Sequence, residues 1–256
     1  MSQPTKSRHD LILAEGIEFS YASRKILHGI DFSAHSGEMI GILGPNGAGK
    51  STLLGVLTGD LTASAGRVTL GGTPIAEYSR KDLARARSVM PQTSEFPFSY
   101  LVRDVVAMAR SANPTDQDEQ IVNDAMTRTD VVHLQDRQIT ALSGGECARV
   151  TLARVIAQRA EVIFLDEPTA ALDIAHQAQT MQICRDLTAD GACVVAVMHD
   201  IQLAAAYCDR IAIMKDGEIQ ALGTPTEVVT SERLSDVYGW PITVARVDGR
   251  TAVIPS

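Results

Sequence analysis

Eight consecutive residues, GPNGAGKS at positions 44–51, have the types and spacing that hold phosphate. A glycine, four free positions and then Gly-Lys-Ser follow an apolar run at 39–43, and Leu53, Leu54 and Leu57 come after them at helical spacing. That order reads as strand, loop and helix. Gly44, Gly47 and Gly49, with Pro45, Asn46 and Ala48 at the free positions, let the backbone curl so that its N–H groups face inward. The helix that follows adds the positive end of its dipole, and a polyphosphate is the natural guest. Lys50 would reach the terminal phosphates, the Ser51 hydroxyl would ligate Mg²⁺, and Thr52 would hydrogen-bond a nearer phosphate. The plain alternative is a glycine-rich turn that caps a helix, but the pattern and its flanks agree on the phosphate loop.

Other residues could complete such chemistry. The apolar run 162–165 delivers Asp166 and Glu167 at its C-terminal end, where open α/β sheets bind ligands. Side-by-side carboxylates repel, and a divalent cation beside Asp166 keeps both ionised. Glu167 could then polarise a water for in-line attack on a γ-phosphate. The run 192–198 ends in His199-Asp200 in the same way, a position that suits a structural or a catalytic histidine equally. Gln92 sits just past a short apolar stretch; alone it reads as a surface amide. Ser143, Gly144 and Gly145, within Leu-Ser-Gly-Gly-Glu at 142–146, open an amphipathic segment carrying Val150, Leu152, Ala153, Val155 and Ile156. They form either a second anion-seeking helix start or an ordinary N-cap. Tyr21 ends a strand, as a platform for a nucleobase or as a half-buried strand tyrosine.

These groups need a scaffold, and the periodicity supplies one. Short strands at 11–14 and 17–21, with another at 26–34, suggest a small antiparallel sheet, and 68–70 with the Gly71-Gly72 turn continues it. From 39 to about 214 strands alternate with helices, which calls for an α/β fold with a mainly parallel sheet. Between 93 and 137 the character turns helical. Val102, Val105, Val106 and Ala109 share one face, and a capping entry at 115–119 leads into 121–129. Phe96, Phe98 and Tyr100 lie there as core residues or as a docking surface. Near the end, Asp216-Gly217 marks a hairpin and Thr224-Pro225 with Glu227 a helix start.

Composition sets the bounds. The 256 residues, 45% hydrophobic, suffice for one large or two small domains. Four cysteines without metal-ligand spacing suit a reducing compartment and read as small core residues. A net charge of −8 without a basic block argues against nucleic acid as the partner. The polar N-terminus and the lack of an eighteen-residue apolar run predict a chain neither secreted nor membrane-spanning by itself.

Taken in order, these residues resemble the nucleotide-binding subunits of ABC transporters over nearly the whole chain. GPNGAGKS matches Walker A, Gln92 the Q-loop, 142–146 the signature, 162–167 Walker B, Ala171-Leu172-Asp173 the D-loop and His199 the H-loop. The resemblance implies a P-loop ATPase core with an N-terminal antiparallel β subdomain and an inserted α-helical subdomain. It implies one domain over 1–256, with 92–137 helical and 1–91 plus 138–256 forming the β subdomain and core. ATP and Mg²⁺ are the implied ligands. Tyr21 would stack on adenine, Gln92 would contact Mg²⁺ and the attacking water, and His199 would hold the γ-phosphate. Two subunits would pack head to tail, so that Ser143, Gly144 and Gly145 of one close on the ATP held by Lys50 of the other, with Asp173 in the same nucleotide site.

Within the family, a single unit with few residues after His199 resembles the ATPases of iron-chelate, haem and cobalamin import. The stretch 92–110, QTSEFPFSYLVRDVVAMAR, is most similar to haemin importers, with Phe-Pro-Phe before a Val-Val helix. Here Phe-Pro-Phe falls about two residues early, Ala109 stands where glycine is common, and Cys147-Ala148 replaces a frequent pair of glutamines. The implied partners are a multispan permease and, through it, an extracytoplasmic binding protein, with this chain on the cytoplasmic face of the membrane. Siderophore or cobalamin import is the near alternative, and a soluble ABC ATPase of iron–sulfur cluster assembly the distant one. The face formed by 96–110 separates them, because a permease would dock there.

Overall fold

The computed structural model describes residues 10–93, 96 and 98–255. The chain opens with β1 (Asp10–Tyr21) and β2 (Arg24–His35), then β3 (Met39–Leu43) and α1 (Lys50–Thr58). Next come β4 (Ala65–Leu70), β5 (Thr73–Pro74), α2 (Arg80–Ala86) and β6 (Arg87–Met90). Helices α3 (Val102–Ala107), α4 (Asp118–Arg128) and α5 (Gly144–Ala157) lead to β7 (Val162–Asp166), α6 (Ile174–Ala189), β8 (Cys193–Val197) and α7 (Ile201–Tyr207). The chain closes with β9 (Arg210–Lys215), β10 (Glu218–Gly223), α8 (Pro225–Val228), α9 (Ser231–Tyr238), β11 (Ile242–Val247) and β12 (Arg250–Pro255).

One sheet has the order β2-β1-β4-β5, with antiparallel pairing throughout. The two short strands expected at 11–14 and 17–21 are a single strand of twelve residues. Gly16, at φ 58, lets the chain bulge rather than turn, and its N–H donates to Asp31 Oδ1 at 2.7 Å. Gly71 and Gly72 both take positive φ, 55 and 81, as a two-residue hairpin between β4 and β5 requires.

The second sheet has the order β10-β9-β3-β8-β7-β6, parallel except for the β9–β10 hairpin. All five positions of β3, β7 and β8 are buried, which explains why these strands read as continuous apolar runs rather than alternating ones: both faces are covered. One apolar cluster joins a face of this sheet to the antiparallel sheet and α1 through Phe32, Leu53, Leu57 and Phe164. The other joins the opposite face to α3, α4 and α5 through Val105, Met126, Val150 and Leu165. Cys184, Cys193 and Cys208 lie buried in these clusters, and burial holds the Cys184 thiol up at about 12, so it packs as an unreactive hydrophobe.

The helical layer differs locally from expectation. Helix α4 starts at Asp118, and the capping polarity is reversed. Asp118 Oδ1 accepts from Thr115 N and Oγ1 at 3.1 and 2.9 Å, and from Arg110 Nε at 2.8 Å. Buried Arg110 also donates to the Ala157 carbonyl at the end of α5 at 3.0 Å, so it joins α3, α4 and α5. The terminal hairpin β11–β12, which carries no strong turn signal besides Asp248-Gly249, packs on α7 and α9. No helix among the described residues is long and apolar enough to cross a membrane.

Two glycines with similar dihedrals test how the fold uses them. Gly217, at φ 79, donates to the Ala48 carbonyl at 3.1 Å and accepts from His28 N at 3.0 Å. A Cβ there would run into the Ile26 carbonyl oxygen and lie 2.6 Å from His28 Cδ2. Gly249, at φ 77, has open space around it. In urea denaturation, Gly217→Ala should cost more than about 2 kcal/mol, because strain and backbone collision add. Gly249→Ala should cost only about 1 kcal/mol, from the left-handed backbone alone.

Candidate functional site

Four parallel strands deliver the candidate residues to one sheet edge. Ile42 pairs with Val197, Val197 with Asp166, and Leu165 with Met90. The next residues along β3, β7 and β8 are therefore the phosphate loop, Glu167 and His199, and Gln92 lies two residues past the Met90–Leu165 pair, level with Glu167. This is the C-terminal edge, where parallel sheets bind ligands.

The loop is built from glycine geometry. Gly44, Gly47 and Gly49 have φ values of 151, 81 and 94, and Gly49 is the N-cap of α1 with no side chain covering it. The N–H groups of the first helical turn are left for a ligand. Lys50 is almost wholly buried, and its Nζ donates to the carbonyls of Gly44 at 2.8 Å and Pro45 at 3.0 Å. Burial lowers the Lys50 pKa, while the charges of Glu167 and Asp166 push it back up.

Beside it, Ser51 Oγ donates to Asp166 Oδ1 at 3.3 Å. Asp166 is buried, and its pKa is raised first by desolvation; the Ser51 hydrogen bond opposes this and Glu167 adds repulsion. A hydroxyl and a carboxylate this close form a hard-oxygen pair of the kind Mg²⁺ uses when phosphates and water supply its other ligands. Among the described residues no cluster of three His, Cys, Asp or Glu side chains forms an all-protein metal cage. Glu167 takes φ 53, uncommon for a residue with a side chain. Its N–H continues past the strand to the Val197 carbonyl at 3.0 Å, and Oε1 lies 2.6 Å from His199 Nε2. Loop, carboxylates and histidine thus form one constellation.

The remaining predicted residues lie outside it. Tyr21 ends β1 with its ring in solvent, 75% exposed. Gln92 is exposed beyond β6. Ser143 caps α5 in a reciprocal box with Glu146: its Oγ accepts from Glu146 N at 3.3 Å, and Glu146 Oε2 accepts from Ser143 N at 2.8 Å. Among the described residues no hydrogen bond joins residues 143–145 to the phosphate loop. Gly145 lies against the loop before α6, where a Cβ would sit 3.1 Å from the Ala171 carbonyl oxygen. Asp173 caps α6 through His176 N at 2.9 Å and also holds the His176 ring. One side chain touches these residues without a strong signal in the sequence: His176, found by an Asp-x-x-His helix start. A cavity of about 980 Å³ lies at the opposite edge of the strands, lined by Ser36, Glu161 and Gly191, and holds none of the candidate residues.

Residues 27–170 match the family described as ABC transporter. The chain belongs to the ABC transporter family. It is 46% identical over 239 residues to the hemin import ATP-binding protein HmuV of Nocardia farcinica, covering 91% of this chain and 83% of that protein. It is 45% identical to the HmuV of Streptomyces coelicolor, covering 91% and 85%. A solved metal-chelate type ABC transporter in an inward-facing conformation superposes with a TM-score of 0.81 at 28% identity, covering 97% and 98% of the two chains. The cbiO1 structure from Clostridium perfringens follows with a TM-score of 0.75 at 30% identity, covering 89% and 93%. As in other ABC-type ATPases, an α/β core carries an antiparallel sheet and a helical region.

Asp166 generates a stability test. Its raised folded pKa means that the folded chain holds the proton more tightly than the unfolded one. Stability is therefore lost as pH rises from the ordinary value of 3.8 through the folded pKa. Asp166→Asn should melt above the wild type at neutral pH without nucleotide, and the difference should shrink as pH falls towards 4. The same variant should lose the further stabilisation that Mg²⁺ with ATP gives the wild type, as read by thermal melts with and without ligand.

Proposed function

We propose that this chain is the ATP-hydrolysing subunit of a haemin importer, working as a head-to-tail homodimer on the cytoplasmic face of a membrane permease. The observation that carries the ATPase part is the constellation of Lys50, Ser51, Asp166, Glu167 and His199 at one sheet edge. Haemin as cargo is supported by the names of relatives at 45–46% identity over most of the chain.

In this reading ATP lays its phosphates across the amides at the start of α1. Lys50 turns its ammonium from the Gly44 and Pro45 carbonyls to the β- and γ-phosphates. Ser51 and Asp166 hold Mg²⁺, with Gln92 approaching from β6; when bound, Mg²⁺ neutralises charge on the phosphate oxygens. Glu167, at hydrogen-bonding distance from His199, accepts the proton of the attacking water, and His199 faces the γ-phosphate. Tyr21 offers its exposed ring to adenine. Ser143, Gly144 and Gly145 make no hydrogen bond to their own loop among the described residues, and in this reading they complete the phosphate site of the partner subunit together with Asp173. Hydrolysis therefore waits for closure of the dimer.

Residues 92–137 serve as the helical subdomain that meets the permease. Phe98 and Tyr100 support this. They are 63% and 38% exposed and pack edge to face with centroids 5.8 Å apart, a small aromatic patch on the surface. Phe96 is half-buried under the Arg154 guanidinium, 6.0 Å from its ring centroid, and roots the patch on α5.

Glu167→Gln should lower kcat for ATP hydrolysis by about 100-fold or more while ATP binding persists and the dimer accumulates. Unchanged steady-state hydrolysis would remove Glu167 from this role. For cargo, the chain is reconstituted with its permease and binding protein, and ATPase activity is measured with haem supplied or withheld. Stimulation by the haem-loaded binding protein is expected. Stimulation only by another loaded chelate would overturn the cargo, and the absence of any permease-dependent stimulation would overturn the importer.

A further inference from the structure

Helix α6 begins where the loop that leaves Glu167 ends, and its first turn holds that loop. The chain passes from β7 to the helix through successive turns: Ala170 N donates to the Glu167 carbonyl and Leu172 N to the Thr169 carbonyl, each at 3.2 Å. Gln177 Nε2 donates to the same Thr169 carbonyl at 3.2 Å, and Thr169 is buried. The middle of the loop is thereby fixed to the helix. Its tip is uncovered: Asp173 is exposed, and the next residue, Ile174, is 85% exposed although apolar.

Asp173 is held by the backbone and by the ring of a single residue. His176 N donates to Asp173 Oδ1 at 2.9 Å, and this bond is the helix cap. The ring adds to it, with Nδ1 at 2.9 Å from Oδ1 and 2.9 Å from Oδ2. The backbone bond and then the ring bond hold the Asp173 carboxyl below the usual carboxylate range. The ionised carboxylate can only accept, so Nδ1 is the donor. A cap needs the backbone bond alone. That bond leaves the carboxylate free to turn about its last torsion, which is broad for Asp, whereas contact with both oxygens fixes its plane.

We propose that His176 is a positioning residue for the closure of two subunits: its ring fixes the plane of the exposed Asp173 carboxylate on the surface that meets a second copy of this chain. The proposal rests on the head-to-tail reading, in which Asp173 enters the nucleotide site of the partner subunit. His176 does not touch the nucleotide. A carboxylate ordered before contact has less freedom to lose when the subunits close. Because Gln177 ties the loop to α6 at Thr169, the held carboxylate also keeps its place relative to Glu167.

The test compares His176→Ala, which keeps the backbone N–H and therefore the cap, with His176→Asn, which returns a side-chain donor near the place of Nδ1. Each is made in the full chain, alone and together with Glu167→Gln. Sedimentation of the Glu167→Gln proteins with ATP and Mg²⁺ reads dimerisation, and kcat is read with Glu167 intact. ATP affinity is measured at subunit concentrations too low for the dimer, alongside the melting temperature. His176→Ala should weaken the ATP-dependent dimer and lower kcat, each roughly fivefold, with ATP affinity and melting temperature little changed. His176→Asn should recover most of the loss. Wild-type dimerisation and turnover in His176→Ala would overturn the proposal, as would a lowered melting temperature with unchanged dimerisation, or no recovery in His176→Asn. Should His176→Ala fail to fold, His176→Phe keeps a ring without the donor. It should weaken the dimer in the same direction, and wild-type dimerisation in it would overturn the proposal. If Glu167→Gln with His176 intact forms no dimer with ATP, the head-to-tail reading itself falls, and the proposal with it.

Discussion

A loop that binds phosphate through its backbone has to keep its amides bare, so its own side chains can hold only its carbonyls, as Lys50 does at Gly44 and Pro45. Further support comes from outside. Gly217 N–H holds the Ala48 carbonyl at 3.1 Å, and Gly49 lies so close to β2 that a Cβ would sit 3.0 Å from Leu27 Cδ2. Two segments far apart in sequence converge on this loop. The antiparallel sheet and the β9–β10 turn both support that one constraint, and a Cβ at Gly44 or Gly217 would run into backbone.

Burial sets the electrostatics of the same edge. Desolvation pushes the Lys50 pKa down and the Asp166 pKa up, and each group's charge opposes the shift of the other. The ammonium rests on two carbonyls and Asp166 on the Ser51 hydroxyl, so neither charge is left alone in a dry site. The arrangement favours a ligand that brings negative phosphates to Lys50 and a cation to Asp166 at the same time.

The second anion-seeking helix start belongs to a different layer. Helix α5 packs against α3 and α4 and shares their apolar cluster, while Arg110 grips its far end. The Ser143 end of α5 therefore belongs to the same packed layer as the helices beside Phe98 and Tyr100. Near that end, Ala171 meets Gly145, so the loop after Glu167 lies against the signature within one chain. The arrangement connects the exposed Phe98 and Tyr100 to the loop after Glu167 through packed helices.

The sequence by itself marked out the candidate residues for chemistry. Loop glycines, a Lys-Ser pair and carboxylates at the end of an apolar run are local patterns, and the family order fixed their roles as expectations. It also announced the α/β alternation, because buried parallel strands are apolar along their whole length. Only the tertiary structure decided which groups meet. No local pattern reveals that Glu167 pairs with His199 or that Arg110 caps α5. Those contacts depend on strand order and on helix packing across the sheet, which are long-range outcomes of burying two apolar faces together. The single long β1 was missed for a smaller reason: Gly16 has the chemistry of a turn, and only pairing with β2 and β4 on either side made it a bulge.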